Sequence, residues 1–276
     1  VKGKFVYAKP NFNYSDNTLF TSIKSSTSDF LSDSGYKTSE LGFSLGTRFE
    51  QFQNIYLSPE LDFLIEDLET SSKASNTIKK QEGSYTDLYF NYSINQDLRD
   101  KRFRTEDGYV TTFAQELPIV SDNSEISNSF DLTKYKKLSA RSDMVAKVSF
   151  FGKTISGLSD DVRISKRLYL PSYRLRGFEK GKVGPVDNDD YIGGNHLTAL
   201  NMSATLPNIL EGLDNLDVGI FFDAANIWGI DYNSSLDDKS TIRSSAGVAL
   251  NLMTPIGPLS FSFANALSKA SSDKTE

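Results

Sequence analysis

A strict two-residue alternation runs through Gly257-Pro258-Leu259-Ser260-Phe261-Ser262-Phe263-Ala264. Leu259, Phe261 and Phe263 occupy alternate positions, and small or polar residues lie between them. A period of two puts the two sets of side chains on opposite faces of an extended strand. The segment therefore predicts a β-strand with one apolar face and one small, polar face.

The same alternation recurs in segments of about ten residues along the chain. The polar face carries charge in several of them, for example Glu60 and Asp62 in one segment and Asp87 in another. Helical spacing is rare. The predicted strands are Phe5–Phe12, Thr18–Ser26, Leu41–Phe49, Leu57–Ile65, Asp87–Asn95, Tyr109–Leu117, Phe130–Leu138, Met144–Phe151, His196–Leu206, Leu216–Trp228, Ile242–Leu252 and Gly257–Ala264.

Two architectures produce this pattern. A soluble antiparallel sandwich or solenoid alternates because one sheet face packs on a core. A transmembrane β-barrel alternates because one face meets lipid and the other a wet lumen. Strands longer than the usual soluble length of about 5 to 6 residues favour the barrel, as do charges at mid-strand and an aromatic content of 12%. We expect an all-β fold: a transmembrane antiparallel β-barrel of about 12 strands, with residues 1–276 in one domain.

Composition excludes several functional classes. The chain has 30 basic and 36 acidic residues and a net charge of −6, so we expect no nucleic-acid partner. It has no cysteine and one histidine, His196, which excludes thiolate and multi-histidine metal sites. The acidic group Asp97, Asp100, Glu106 and Asp107 lacks the ligand spacing of a calcium loop. The composition therefore predicts no metal site and leaves few routes to catalysis.

A loop motif carries a family resemblance. Arg174-Leu175-Arg176-Gly177-Phe178 is similar to the Val-Arg-Gly-Phe/Tyr motif of the BamA family of outer-membrane assembly factors. The order of the surrounding motifs also matches that family. These motifs are Arg167-Leu168-Tyr169, Val183-Gly184-Pro185, Gly193-Gly194-Asn195, the segment Phe221 to Trp228 with Asp223 inside it, Ile242 to Leu250, and Pro255 to Ala264.

The resemblance covers Tyr85 to Glu276 by motif and the earlier residues by strand pattern alone. On the family's sixteen-strand barrel, the chain runs from about the fourth strand to the fifteenth. The soluble periplasmic repeats and the final strand therefore lie outside this sequence. A fragment of this kind has two open edges, and we expect it to be inactive by itself.

The resemblance also implies a site. The family's loop folds back into the barrel, where its arginine meets an acidic residue of the wall. In this chain the implied pair is Arg176 with Asp223, because alternation along that strand points Asp223 into the lumen. Gly177 would allow the sharp turn beside Phe178. Supporting positions of the loop and strand motif are Leu175, Gly193, Gly194 and Asn195.

Two positions depart from the family pattern. Ser203 stands where a glutamate is usual, so one expected acidic partner is missing. Arg104 stands where the mid-barrel turn usually has a proline, which predicts a looser turn. The looser turn should not affect the expected mechanism.

The function implied by the resemblance is the folding and insertion of β-barrel proteins in the outer membrane of a Gram-negative bacterium. Its partners would be nascent outer-membrane proteins, other assembly-complex subunits and membrane lipid. Three alternatives remain open: a related barrel for polypeptide export or autotransporter assembly, a passive porin of an unrelated family, and a soluble sugar-cleaving β-protein with a carboxylate pair roughly 5 to 10 Å apart.

Overall fold

The structure is a computed structural model that describes residues 1–139, 144–206, 216–236, 241–255 and 257–276. Within these ranges no helix is long and apolar enough to cross a membrane. The strands are β1 Lys2–Lys9, β2 Thr18–Phe30, β3 Tyr36–Phe52, β4 Ile55–Thr70, β5 Gly83–Asp97, β6 Gly108–Ser121, β7 Glu125–Lys137, β8 Val145–Gly157, β9 Val186–Asp187, β10 Asp190–Tyr191, β11 His196–Leu206, β12 Leu216–Trp228, β13 Arg243–Thr254 and β14 Gly257–Ser268. The helical segments are the one-turn α-helix Asn76–Lys79 and the 3-10 turns Phe12–Tyr14, Ser172–Arg174 and Ser234–Leu236.

Twelve of these strands form one antiparallel sheet in chain order. The order skips only β9 and β10, which pair with each other, so that β8 lies directly beside β11. No pairing joins β1 to β14 within the described strands. The architecture is therefore a partial antiparallel β-barrel, which confirms the predicted fold class.

The two faces of the sheet differ as the alternation predicts. On β4, Leu61, Phe63 and Ile65 point outward and are exposed, whereas Leu64 and Glu66 point inward and are buried. The outward residues form the apolar band that lipid covers in a transmembrane barrel. The inward face is mostly polar and surrounds the lumen.

Most predicted strands lie within the observed ones, and His196–Leu206 and Leu216–Trp228 coincide with β11 and β12. The prediction Phe5–Phe12 was wrong at both ends, because β1 begins at Lys2 and ends at Lys9. Proline at position 10 cannot donate to the ladder, and Asn11 takes a left-handed conformation with φ of 52°. Ile256, inside the motif Pro255 to Ala264, lies outside the described residues.

Residues 158–195 connect β8 to β11 and are called the long loop below. The β9–β10 hairpin lies inside this loop and was not predicted from the sequence. Leu168, Leu170, Leu175, Phe178 and Val183 of the loop are buried against the inner wall of the barrel. The apolar core of the protein thus lies between the long loop and the wall.

Candidate functional site

Arg176 and Asp223 form an ion pair between the long loop and β12. Nε of Arg176 donates to Oδ2 of Asp223 at 2.7 Å, and Nη2 donates to Oδ1 at 2.7 Å. The backbone N–H of Arg176 also donates to Oδ2, at 3.2 Å. A guanidinium can hold both oxygens of a carboxylate in this way, whereas an ammonium group cannot. The structure therefore brings together the two residues that the resemblance pairs.

The carboxylate of Asp223 is fully buried and surrounded by donors. Besides the guanidinium, Nδ2 of Asn201 on the neighbouring strand donates to Oδ1 at 2.8 Å. The arginine is also fixed from a second side, because its Cζ lies 3.5 Å from the ring centroid of Phe221. Asp223 and Phe221 are two residues apart on β12, so they share the lumen face. A buried carboxylate is tolerated only when it is paired and hydrogen-bonded, as here.

The residues next to Arg176 fix the conformation of the loop. Gly177 has a φ of +82°, which favours glycine, and a Cβ at this position would lie 2.8 Å from Cβ of Ala264 on β14. Leu175 and Phe178 are almost fully buried in the loop core. Phe178 also forms a β-bridge with Thr275. The motif therefore turns sharply, and apolar contacts on both sides of Gly177 hold it.

Gly193, Gly194 and Asn195 return the loop to the wall at the start of β11. Gly193 has a φ of +65°, and a Cβ on Gly194 would lie 2.6 Å from the carbonyl oxygen of Trp228. The close approach of Gly194 to β12 therefore requires glycine. Nδ2 of Asn195 donates to Asp231 at 3.0 Å, which joins this return to the chain beyond β12.

A second arginine of the motif binds the wall three strands away from Asp223. The guanidinium of Arg174 donates to Asp131 on β7, and the carbonyl oxygen of Arg174 accepts from Asn201. Ser203, where the family usually has a carboxylate, lies opposite Lys147 in the β8–β11 ladder. On the wall, Asp131 is thus the acidic partner of Arg174, and Asp223 is the acidic partner of Arg176.

A third arginine, Arg163, lies in a cluster that sequence reasoning missed. Its Nη2 lies 2.6 Å from Asp87, and its guanidinium nitrogens lie 3.4 Å from Glu66 and 3.8 Å from Glu125. Cζ of Arg163 lies 4.1 Å from the ring centroid of Tyr85. The four charged side chains have no more than 2% exposure. One loop residue therefore joins three wall strands, β4, β5 and β7.

Charge balance at Arg163 favours the ionised guanidinium. Burial alone would lower the pKa of Arg163, but attraction by Glu66 and Glu125 outweighs burial and raises the pKa above its ordinary value. The group therefore stays charged. The sequence shows acidic residues at inward-facing strand positions and an arginine in a loop. No regular spacing connects these residues, so the cluster could not be predicted from them.

The chain after β14 is bonded to β13 by a further buried ion pair and to the long loop by a hydrogen bond. Nε and Nη2 of Arg243 donate to Asp273 at 2.9 and 3.2 Å, and both side chains are fully buried. Asp273 also accepts from the backbone N–H of Gly184 in the loop. Nearby, the N–H of Glu276 donates to the carbonyl oxygen of Gly177. Hydrogen bonds therefore join both the long loop and its motif to the segment after β14.

The turn at residues 98–107, at the opposite end of the barrel, is held by ion pairs. Arg104 takes a φ of 50° and reaches Asp217 on β12 at 3.5 Å. Lysine partners, Lys101 first, lower the pKa of Glu106 to about 2. The pairs of the turn are Asp97 with Arg99, Glu106 with Lys101 and Lys137, and Asp107 with Lys136. No group of three potential metal ligands is present in the described part of the chain.

Comparisons with known proteins agree with this architecture. The chain is 24% identical over 207 residues to the outer membrane protein assembly factor BamA of Neorickettsia risticii (strain Illinois), which covers 74% of this chain and 28% of that protein. It is 31% identical over 131 residues to BamA of Neisseria meningitidis serogroup B, covering 37% of this chain and 16% of that protein. The chain thus spans less than a third of the curated relatives that it matches.

Two solved structures share the fold over the whole chain. BamA from Haemophilus ducreyi lacking POTRA domains 1–3 superposes with a TM-score of 0.88 at 21% identity, over 60% of its own length. CdiB from Acinetobacter baumannii superposes with a TM-score of 0.56 at 12% identity, over 55% of its length. The sequence itself matches the Omp85 superfamily domain from residue 1 to residue 276. With an antiparallel partial barrel and a long loop fastened inside it, the chain belongs to the Omp85 superfamily.

Proposed function

We propose that this chain forms part of the barrel of an outer-membrane protein assembly factor, which folds and inserts β-barrel proteins into the outer membrane. Both curated relatives are named as such factors. The observation that carries the proposal is the Arg176–Asp223 pair, which fastens the loop motif to the inner wall of the barrel. An unrelated passive porin is incompatible with membership of the superfamily.

The long loop has a mechanical part in this proposal. Three of its arginines bind carboxylates on β4, β5, β7 and β12, so the loop braces the inner wall over most of its width. A braced wall keeps its curvature while strand edges elsewhere in the barrel become available. A client can add strands to such an edge through backbone hydrogen bonds. No covalent chemistry, metal or cofactor enters this mechanism, and the protein is proposed not to be an enzyme.

The partners and location follow from the same proposal. The clients are nascent outer-membrane β-barrel proteins, and the exposed apolar band contacts lipid as an integral, multi-pass wall. Contacts with other assembly-complex subunits would be made mainly by parts of the protein outside this chain. The location is the outer membrane of a Gram-negative bacterium.

A barrel for polypeptide export or autotransporter assembly is the alternative within the superfamily. The weaker likeness to CdiB, with a TM-score of 0.56 against 0.88, makes it the second candidate. An exporter must open a path through the lumen, where the long loop lies. Releasing the loop should therefore impair assembly activity but increase conduction through an exporter.

A charge exchange tests the proposal. Arg176→Asp and Asp223→Arg are introduced singly and together into the protein as the cell makes it, and the folded outer-membrane protein content is measured after the native copy is depleted. Each single variant leaves an uncompensated charge and should lose most assembly activity. The double variant should recover much of it, because the ion pair is restored in reverse.

A matched control separates the pair from a general charge effect. Lys180→Asp reverses an exposed charge in the same loop and should leave assembly unchanged. If the double variant folds normally and stays as inactive as the single variants, a direct functional role for the pair is refuted.

A further inference from the structure

A cavity of about 280 Å³ lies between the loop motif and the wall. Its floor is formed by β8 and β11, the two strands between Asp131 on β7 and Asp223 on β12. The two arginines of the motif bind these carboxylates on either side. The residues that define this inter-anchor cavity are Asp131, Lys147, Ser149, Arg174, Arg176 and Ser203.

The cavity has more positive than negative groups. Lys147, Arg174 and Arg176 line it, and Asp131 is the only carboxylate among its lining residues. Asp223 offsets Arg176 from outside the cavity, which leaves an excess of one positive charge. Lys147 lies within electrostatic range of both arginines. Ser203, opposite Lys147 in the ladder, provides a hydroxyl and no charge.

Donors at the cavity are left without acceptors in the described part of the chain. Arg176 uses Nε and Nη2 on Asp223, and no hydrogen bond engages its Nη1. Nε of Arg174 is buried without a partner in a side chain that is only 11% exposed. The ammonium group of Lys147 makes no hydrogen bond or ion pair with the described residues, and its nearest aromatic ring is Tyr135, at 5.9 Å.

We propose that a small oxyanion of the phosphate class binds in the inter-anchor cavity, between Lys147, Arg174 and Arg176. Tetrahedral oxyanions present several acceptor oxygens to guanidinium and ammonium donors at once. One negative charge of the anion cancels the excess positive charge, and the surrounding hydroxyl and amide groups can donate hydrogen bonds to its remaining oxygens. The bound anion joins β8 to the loop motif, which no direct ion pair does within the described residues.

The proposal depends on the geometry of the loop and wall and not on the proposed function. Its source of phosphate is the free inorganic ion, since the cavity opens to the lumen and not to the lipid-facing surface. A phospholipid headgroup offers the same chemistry, so the experiment includes a lipid arm.

Binding is measured on the folded protein in a phosphate-free detergent at constant ionic strength. Inorganic phosphate is titrated while the midpoint of thermal unfolding is recorded, and titration calorimetry gives the dissociation constant in parallel. The midpoint should rise with phosphate concentration, as for any ligand that binds only the folded state. Sodium chloride at equal ionic strength should give no comparable rise.

Three variants locate the site. Lys147→Gln should weaken phosphate binding at least tenfold, whereas Lys153→Gln, on the same face of β8 but outside the cavity, should leave binding unchanged. Ser203→Glu places a carboxylate opposite Lys147. It should raise the midpoint of thermal unfolding in the absence of phosphate and reduce the further rise that phosphate causes.

Each outcome decides the proposal. A phosphate response that weakens in Lys147→Gln and Ser203→Glu but not in Lys153→Gln supports it, whereas a response to short-chain phosphatidic acid without one to inorganic phosphate overturns the assignment to the free ion. The absence of a phosphate-specific rise, or an equal rise in the Lys147 and Lys153 variants, overturns it.

Discussion

Replacement of Arg163 by methionine is the sharpest test of how the long loop is held. The substitution keeps an unbranched side chain of similar reach and removes the charge. Asp87, Glu66 and Glu125 then remain within a pocket from which water is excluded. The ring of Tyr85 loses its cationic partner at the same time.

The magnitude follows from burial. Breaking a buried ion pair by removing one partner typically costs roughly 3 to 5 kcal/mol, because the remaining charge is uncompensated. Arg163 and its partners have no more than 2% exposure, so solvent screening does not reduce this figure. Three carboxylates depend on one guanidinium, which favours the upper part of the range.

Protease protection of the loop is the direct measurement. If loop opening becomes easier by about 4 kcal/mol, the open population rises on the order of 1000-fold, and cleavage by proteinase K within residues 158–170 should accelerate accordingly. The strands should stay protected, because their ladder bonds do not involve Arg163. Adding Glu66→Gln to the variant should recover part of the protection by removing one uncompensated charge.

Lys180→Met provides the control, since it removes an exposed charge from the same loop. Cleavage of this variant should match the wild type. An Arg163→Met protein that resists the protease as well as the Lys180 control would show that apolar packing alone holds the loop, and the electrostatic reasoning would be refuted.

Two further predictions concern the loop motif and the opposite end of the barrel. Gly177→Ala should destabilise the docked loop by about 1 to 3 kcal/mol, because alanine is strained at a φ of +82° and its Cβ meets Ala264; loop proteolysis measures this, and unchanged cleavage would contradict it. The pKa of Glu106 is lowered to about 2 by its lysine partners, so its stabilisation of the turn at residues 98–107 is present above its ordinary pKa and is lost as the pH falls towards 2. Protection factors for amide exchange in this turn should therefore be lower at pH 2.5 than at pH 5.5. Glu106→Gln should reduce that difference.

The strands were predictable because their two faces meet different surroundings along their whole length. The predicted strand Leu216–Trp228 has the same bounds as the observed β12, because its outward face stays apolar from Val218 to Ala224. Prediction failed at the end of β1, where proline and a left-handed Asn11 stop the ladder before the apolar pattern ends. The β9–β10 hairpin has only two residues in each strand, too few for a period to be recognised.

The site was only partly predictable. Alternation fixes the inward face of β12 and therefore predicted that Asp223 points into the lumen. The position of the loop cannot be read from residue spacing, so only the family resemblance indicated the contact with Arg176. The cluster around Arg163 draws its carboxylates from three strands that are far apart in sequence. Such convergence depends on the curvature of the sheet, which leaves no local pattern in the chain.

The direct pairing of β8 with β11 has a consequence for the order in which the barrel forms. The two strands make a hairpin whose connection is 38 residues long, whereas β6 and β7 are joined by three. Closing the longer connection costs about 2 kcal/mol more in chain entropy. The zipping of β8 onto β11 should therefore lag behind the shorter hairpins, and the barrel should assemble as two halves that join at this late seam.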